Sequence, residues 1–171
     1  MESSLSFEQL VENLEKVIKI HRSLLNVVRK EKEILISANL DELNENNKIK
    51  EEVLIQARQL EKERIKIIDS LLTEEDIKME NPSLLELANY FQGIKGEKLR
   101  NLHAVLDLLI KRVKDINNQN EVLIKSALKN ITGAMKSIKD MLDDNKTYKK
   151  QGTLGETHDH QSSGRLVSKQ V

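Results

Sequence analysis

The chain has 171 residues, of which 33% are charged and 2% aromatic, with one proline and no cysteine. Basic and acidic side chains number 28 each, so the net charge is zero. This balance argues against a nucleic-acid binder, which usually carries a basic face. Without cysteine, a disulfide framework and thiolate chemistry are excluded.

The sequence contains no run of 18 apolar residues, so no membrane insertion is expected. The first four residues, Met-Glu-Ser-Ser, lack the basic region and apolar core of a signal peptide. A cytoplasmic location is therefore the expectation.

Leucine, isoleucine, lysine, glutamate and asparagine dominate the composition, which is typical of long amphipathic helices. A first helix is predicted over residues 7–37, where Ser6 and Gln9 form a capping-box pattern. Asn39 is a helix cap that starts a second helix over residues 40–72, with a polar half at residues 44–52. The short connection between them makes the two helices antiparallel neighbours.

Asn81-Pro82 marks an interruption, because the residue before a proline is disfavoured in helical geometry. Ser83 and Glu86 form another capping-box pattern and start a short helix over residues 84–92. Gly93 and Gly96 then allow a bend before the last helix. The alternative is one continuous helix from Ser83 onward, since each glycine costs only about 1 kcal/mol.

The last helix is predicted over residues 97–144 from a stripe that recurs every three or four residues. All but one of the residues on this stripe are apolar: Leu99, Leu102, Leu106, Leu109, Val113, Ile116, Asn120, Leu123, Ala127, Ile131, Ala134, Ile138 and Met141. Such a helix is about 70 Å long at 1.5 Å per residue. The sequence thus predicts an all-α antiparallel helical bundle or coiled coil over residues 1–144, with two helices of about 30 residues, a short connecting helix and a long C-terminal helix.

The two earlier helices are each about 45 to 50 Å long and cannot cover the whole of the last one. The two earlier helices are therefore predicted to leave the stripe around residues 127–142 exposed. This exposed stripe is either a dimer surface or a docking surface for a partner. The residues expected to hold a partner are Leu123, Ala127, Leu128, Ile131, Met135, Ile138 and Leu142.

Asn117 and Asn120 lie one turn apart on this helix, and Asn120 interrupts its apolar stripe. One interpretation is a polar layer that fixes the register of the helices at a cost in stability. The other is a polar binding spot that faces a partner.

No nucleophile–base pair, phosphate-binding loop or metal-ligand spacing is visible, so an enzyme, a metal and a cofactor are not expected. Residues 145–171 lose the helical periodicity and are predicted to form a flexible tail. Tyr148 is an isolated aromatic residue in this polar stretch. One interpretation is an accident of composition, and the other is a short peptide anchor for a pocket of another protein.

Three stretches make this sequence resemble the FlgN family of flagellar type III export chaperones. Lys50 followed by Leu60-Glu61-x-x-Arg64 is similar to a family pattern on the second helix. Asn117-x-x-Asn120-x-x-Leu123 and Tyr148-x-x-x-Gly152 are similar to two later patterns, although Glu121 and Lys149 stand where the family has glycine.

The resemblance implies a cytoplasmic chaperone for hook-filament junction proteins of the FlgK and FlgL kind. Such a chaperone binds the C-terminal amphipathic segment of its client, prevents premature assembly and delivers the client to the export gate protein FlhA. The late part of the long helix would then hold the client and Tyr148 would contact the gate. The alternative is a structural coiled-coil protein, a homo-oligomer that self-associates through the same helix.

Overall fold

The structure, a computed structural model, describes the backbone of residues 5–163 and the side chains of residues 5–143. It contains α1 (Leu5–Ser37), α2 (Leu40–Glu74), the short α3 (Leu84–Phe91) and α4 (Gly93–Ser163). The all-α prediction is confirmed, with two long helices, a short one and a long last one. The chain divides into two compact units, Met1–Ile124 and Lys125–Val171, which are described separately below.

The end of α4 lies further along the chain than the sequence predicts, since the helix extends to Ser163 rather than to residue 144. The side chains from residue 144 onward and the backbone after Ser163 fall outside the described residues. The flexibility of the predicted tail, residues 145–171, stays a prediction.

Helices α1 and α2 form an antiparallel hairpin. At the connection Ala38 has φ +55°, and the Asn39 side chain accepts a hydrogen bond from the Glu42 backbone N–H at 3.2 Å. This is the cap that the sequence predicts. At the far end of the hairpin, Ser6 Oγ donates to Glu74 Oε1 at 2.6 Å, which joins the start of α1 to the end of α2.

Two apolar clusters in the first unit hold the helices together. The first joins the start of α1 to the end of α2, to α3 and to the start of α4, and includes Phe7, Leu10, Leu71, Leu87 and Leu99. The second joins the later part of α1 to the early part of α2 and to the next turns of α4, and includes Val28, Val53, Leu109 and Val113. The order of these contacts shows that residues 93–124 of α4 run parallel to α1 and antiparallel to α2.

Helix α3 begins with the capping box that the sequence predicts. The Ser83 backbone N–H donates to Glu86 Oε2 at 2.7 Å, and the Glu86 backbone N–H donates to Ser83 Oγ at 3.3 Å. The hydrogen bond from the Ser83 backbone lowers the pKa of the Glu86 carboxyl, because it stabilises the charged form.

The chain breaks between α3 and α4, so the alternative of one continuous helix from Ser83 is wrong. Gln92 has φ +48° and ψ −171°, and Gly93 has φ +46°, so the backbone leaves right-handed helical geometry between the two helices. Gly96 then lies against the end of α3. A Cβ atom placed on Gly96 would be 2.4 Å from the carbonyl oxygen of Ala88. This close approach requires glycine.

We expect Gly96→Ala to destabilise the protein. The added methyl group would meet backbone rather than a flexible side chain, so α3 and α4 would have to separate. The expected loss is about 1 to 3 kcal/mol of the free energy of unfolding, measured by urea denaturation. Gly133→Ala is the matched control, because a Cβ there meets nothing within 4 Å. The control should lose no stability, and equal losses in the two variants would contradict this packing.

Candidate functional site

The predicted stripe of α4 is covered in the first unit. Leu99, Leu109, Val113 and Asn120 are buried there, and Leu102, Leu106, Ile116 and Leu123 are half-buried. The three- and four-residue spacing therefore identifies the inward face of this part of α4 correctly. Leu123, which the sequence assigns to the partner surface, belongs to this covered part.

The second unit carries the rest of the predicted partner surface on residues 127–142 of α4, and here the apolar side chains are exposed. Leu128, Ile131, Met135, Ile138 and Leu142 are between 55% and 67% exposed, and Met141 is similar. Ala127 is also exposed. We call residues 127, 128, 131, 134, 135, 138, 141 and 142 the apolar stripe.

The apolar stripe occupies one side of the helix. At 3.6 residues per turn its members fall within less than half of the circumference. Lys129 and Lys136 lie on the opposite side. Exposed apolar area in a continuous strip marks an interaction surface, whereas scattered exposed leucines do not.

The two predicted asparagines lie in a polar cluster that joins three helices of the first unit. Asn120 is 2% exposed, and its Nδ2 donates to the Val28 carbonyl oxygen at 3.0 Å and to Glu31 Oε2 at 2.9 Å. Lys50 Nζ of α2 donates to the same carboxylate oxygen at 2.8 Å and to Asn117 Oδ1 at 3.4 Å. This arrangement favours the interpretation of Asn117 and Asn120 as a polar layer that fixes register.

Sequence reasoning missed Lys50 and Asn46 as members of the inter-helix contacts. Asn46, 2% exposed, donates through Nδ2 to the Val27 carbonyl oxygen at 3.2 Å. Both residues lie in the polar half of α2, for which the sequence predicts little packing. The available signal was Glu31, a charged residue that falls at the three- and four-residue spacing of the apolar residues Val28 and Leu35 in α1. A charged residue in such a position requires a partner when it is buried.

Tyr148, the predicted export-gate contact, lies outside the residues whose side chains the structure describes. Its role stays a prediction.

The described residues contain no group of three or more histidine, cysteine, aspartate or glutamate side chains that could hold a metal ion. His21 Nδ1 donates to the Val17 carbonyl oxygen at 2.8 Å, which is ordinary for a histidine on a helix. Among the same residues, no helix is long and apolar enough to cross a lipid bilayer.

A helical bundle with an exposed apolar strip on its last helix is typical of the class of helical protein-binding modules. The comparison with known families agrees with this class. A family model described as FlgN protein matches residues 1–156. The chain belongs to the FlgN family of flagellar export chaperones, which is a family of chaperones and not of enzymes. No curated protein and no solved structure matches the chain.

We expect Lys50→Met to cost about 2 to 3 kcal/mol in the free energy of unfolding. The Glu31 side chain is 8% exposed, so the substitution would leave a buried carboxylate without its cation. The matched control is Lys48→Met, two residues away, because the Lys48–Glu45 pair is 72% and 68% exposed and should contribute little. Thermal and urea unfolding measure the loss in the free energy of unfolding for both variants. A similar small loss in each would show that the cluster is not a buried ion pair.

Proposed function

We propose that this protein is a cytoplasmic chaperone that binds the C-terminal amphipathic segments of hook-filament junction proteins of the FlgK and FlgL kind. It keeps the client from assembling before export and delivers it to the export gate protein FlhA. Membership of the FlgN family supports the general role. The observation that carries the client-binding step is the exposed apolar stripe.

The stripe suits an amphipathic helix as its ligand. A client helix with apolar residues at the same spacing would place them along Leu128, Ile131, Met135, Ile138 and Leu142. Burying the exposed part of one such side chain contributes on the order of 1 kcal/mol. Several together give useful affinity after the cost of association, and no nucleotide is needed to hold the client.

Met135 and Met141 make the stripe adaptable. Methionine is unbranched and polarisable, so it packs against apolar groups of different shape. A surface of this kind accepts related segments from more than one client. This property fits a chaperone that holds both FlgK-type and FlgL-type proteins.

The first unit has a supporting role in this proposal. Its buried Glu31–Lys50–Asn120 cluster fixes how α1, α2 and α4 align. In this proposal Asn117 and Asn120 stabilise the alignment of the helices and do not contact the client.

Client binding is tested with the full chain and a labelled C-terminal peptide of a FlgK-type protein. We expect the double variant Ile131→Ser, Ile138→Ser to weaken binding about 30-fold or more, because two large side chains are lost from the stripe. The control is Lys129→Ser, Lys136→Ser on the opposite side of the same helix, which should keep its affinity. Fluorescence anisotropy measures both. Equal effects of the two double variants, or none from the first, would refute the stripe as the client site.

Delivery to the gate is tested separately. Tyr148→Ala should weaken binding to FlhA and leave the affinity for the client peptide unchanged. Tyr90→Ala is the control, since it alters the chain's other tyrosine, which is 46% exposed on α3. Calorimetric titration with FlhA measures the effect. Parallel loss of client and gate binding in Tyr148→Ala would mean that the substitution acts on the fold and that Tyr148 is no specific contact.

A further inference from the structure

Methionine is absent from the apolar clusters of the described residues. Both clusters of the first unit are built from leucine, isoleucine, valine, alanine and phenylalanine side chains. The chain has four methionines, of which Met135 and Met141 lie on the apolar stripe of the second unit. Met79 lies in the connection between α2 and α3, and Met1 is outside the described residues. Half of the methionines are therefore on the surface that we propose to bind the client.

Both methionines of the apolar stripe are open to solvent. Met135 is 67% exposed and Met141 is 65% exposed, whereas Met79 is 37% exposed. Met135 and Met141 are separated by about 9 Å along the helix axis and by about 120° around it. They therefore lie toward opposite edges of the apolar stripe, and a helix bound along the stripe would contact both.

Composition and exposure together direct oxidation to these two side chains. The chain has no cysteine and no tryptophan, so a peroxide meets neither a thiol nor an indole. A lone pair on the thioether sulfur of methionine attacks one oxygen of hydrogen peroxide, the O–O bond breaks and an S–O bond forms. The sulfur loses two electrons and becomes a sulfoxide, and the peroxide is reduced to water.

A sulfoxide on the apolar stripe opposes the burial of that surface. Oxidation converts a flexible apolar side chain into a polar one, whose new oxygen accepts hydrogen bonds. In the unbound chain water supplies the donors, because Met135 and Met141 are both exposed. Under a bound apolar helix the oxygen would lose that water, and the neighbouring stripe residues Ile138 and Leu142 offer no donor. Burying a polar group without a hydrogen bond is unfavourable, so oxidation weakens binding.

We propose that Met135 and Met141 form a reversible oxidation site, and that a peroxide switches off the apolar stripe by converting both thioethers to sulfoxides. The loss of client binding rests on the chaperone function proposed above. Methionine sulfoxide reductases, one for each epimer of the sulfoxide, restore the thioethers. A bound client covers both sulfur atoms, so the client-free chain is the form that is oxidised.

The placement of the methionines separates the effect on binding from any effect on folding. Because the two apolar clusters contain no methionine, oxidation leaves the packing of the first unit unchanged. Leucine at positions 135 and 141 would keep the stripe apolar and would not be oxidised. Methionine at these positions therefore makes client binding sensitive to a peroxide while the fold is not.

Treatment of the full chain with hydrogen peroxide tests the proposal, with peptide mass spectrometry as the measure of oxidation at each methionine. Met135 and Met141 should each gain one oxygen atom, and should do so faster than Met79 because they are more exposed. After the peroxide is removed, fluorescence anisotropy should show that the affinity for the FlgK-type client peptide has fallen about tenfold or more. Methionine sulfoxide reductases should restore both the mass and the affinity.

The double variant Met135→Leu, Met141→Leu should bind the peptide as the wild type does and keep its affinity after peroxide treatment. The control Met79→Leu should lose affinity as the wild type does. An oxidised wild-type chain with unchanged affinity, or an equal loss in the double variant, would overturn the proposal. A lower thermal unfolding temperature of the oxidised chain would also contradict it, because oxidation would then act on the fold. An untreated chain that does not bind the peptide would refute the chaperone function and the switch with it, while the mass spectra would still decide whether the two methionines are the preferred oxidation site.

Discussion

A single helix cannot cover its own apolar side, and this constraint explains most of the structure. Along residues 93–124 of α4, side chains of α1 and α2 cover that side in two apolar clusters. Along residues 127–142 the same kind of side chain is exposed. Burial of apolar area is the main favourable term in association, so the exposed part is where we propose that this chain binds a partner.

The polar cluster of the first unit has a different role. A buried ion pair contributes little net stability, because removing two charges from water offsets most of their attraction. The cluster instead favours one alignment of the three helices, because other alignments would leave its buried polar groups without partners. A shift of α4 by one turn would leave the buried carboxylate of Glu31 without the hydrogen bond from Asn120, whereas an apolar layer would tolerate the shift. The cluster thus fixes where the covered part of α4 lies on α1 and α2.

Much of the fold follows from periodicity and capping. The spacing of Leu99, Leu109 and Val113 identifies the covered side of α4, and Asn39 and Ser83 identify two helix starts. The break at Gln92 was one of two alternatives, because glycines in a helix are only mildly unfavourable and the close contact of Gly96 with Ala88 depends on tertiary packing. The partners of Lys50 and Asn46 were unpredictable for a similar reason. A polar residue on a helix does not indicate which other helix it will contact. Only Glu31, a charged residue at an apolar position of α1, indicated that a polar partner was needed.

The exposure of the apolar stripe in the isolated chain is the central claim, and methyl NMR with a soluble paramagnetic probe measures it directly. In a dilute sample the methyl signals of Ile131 and Ile138 should broaden as strongly as that of Ile65, which is 51% exposed on α2. The buried Ile18 should be protected, and saturating client peptide should protect Ile131 and Ile138 as well. If Ile131 and Ile138 were as protected as Ile18 in the dilute chain alone, the stripe would already be covered and the account would be wrong.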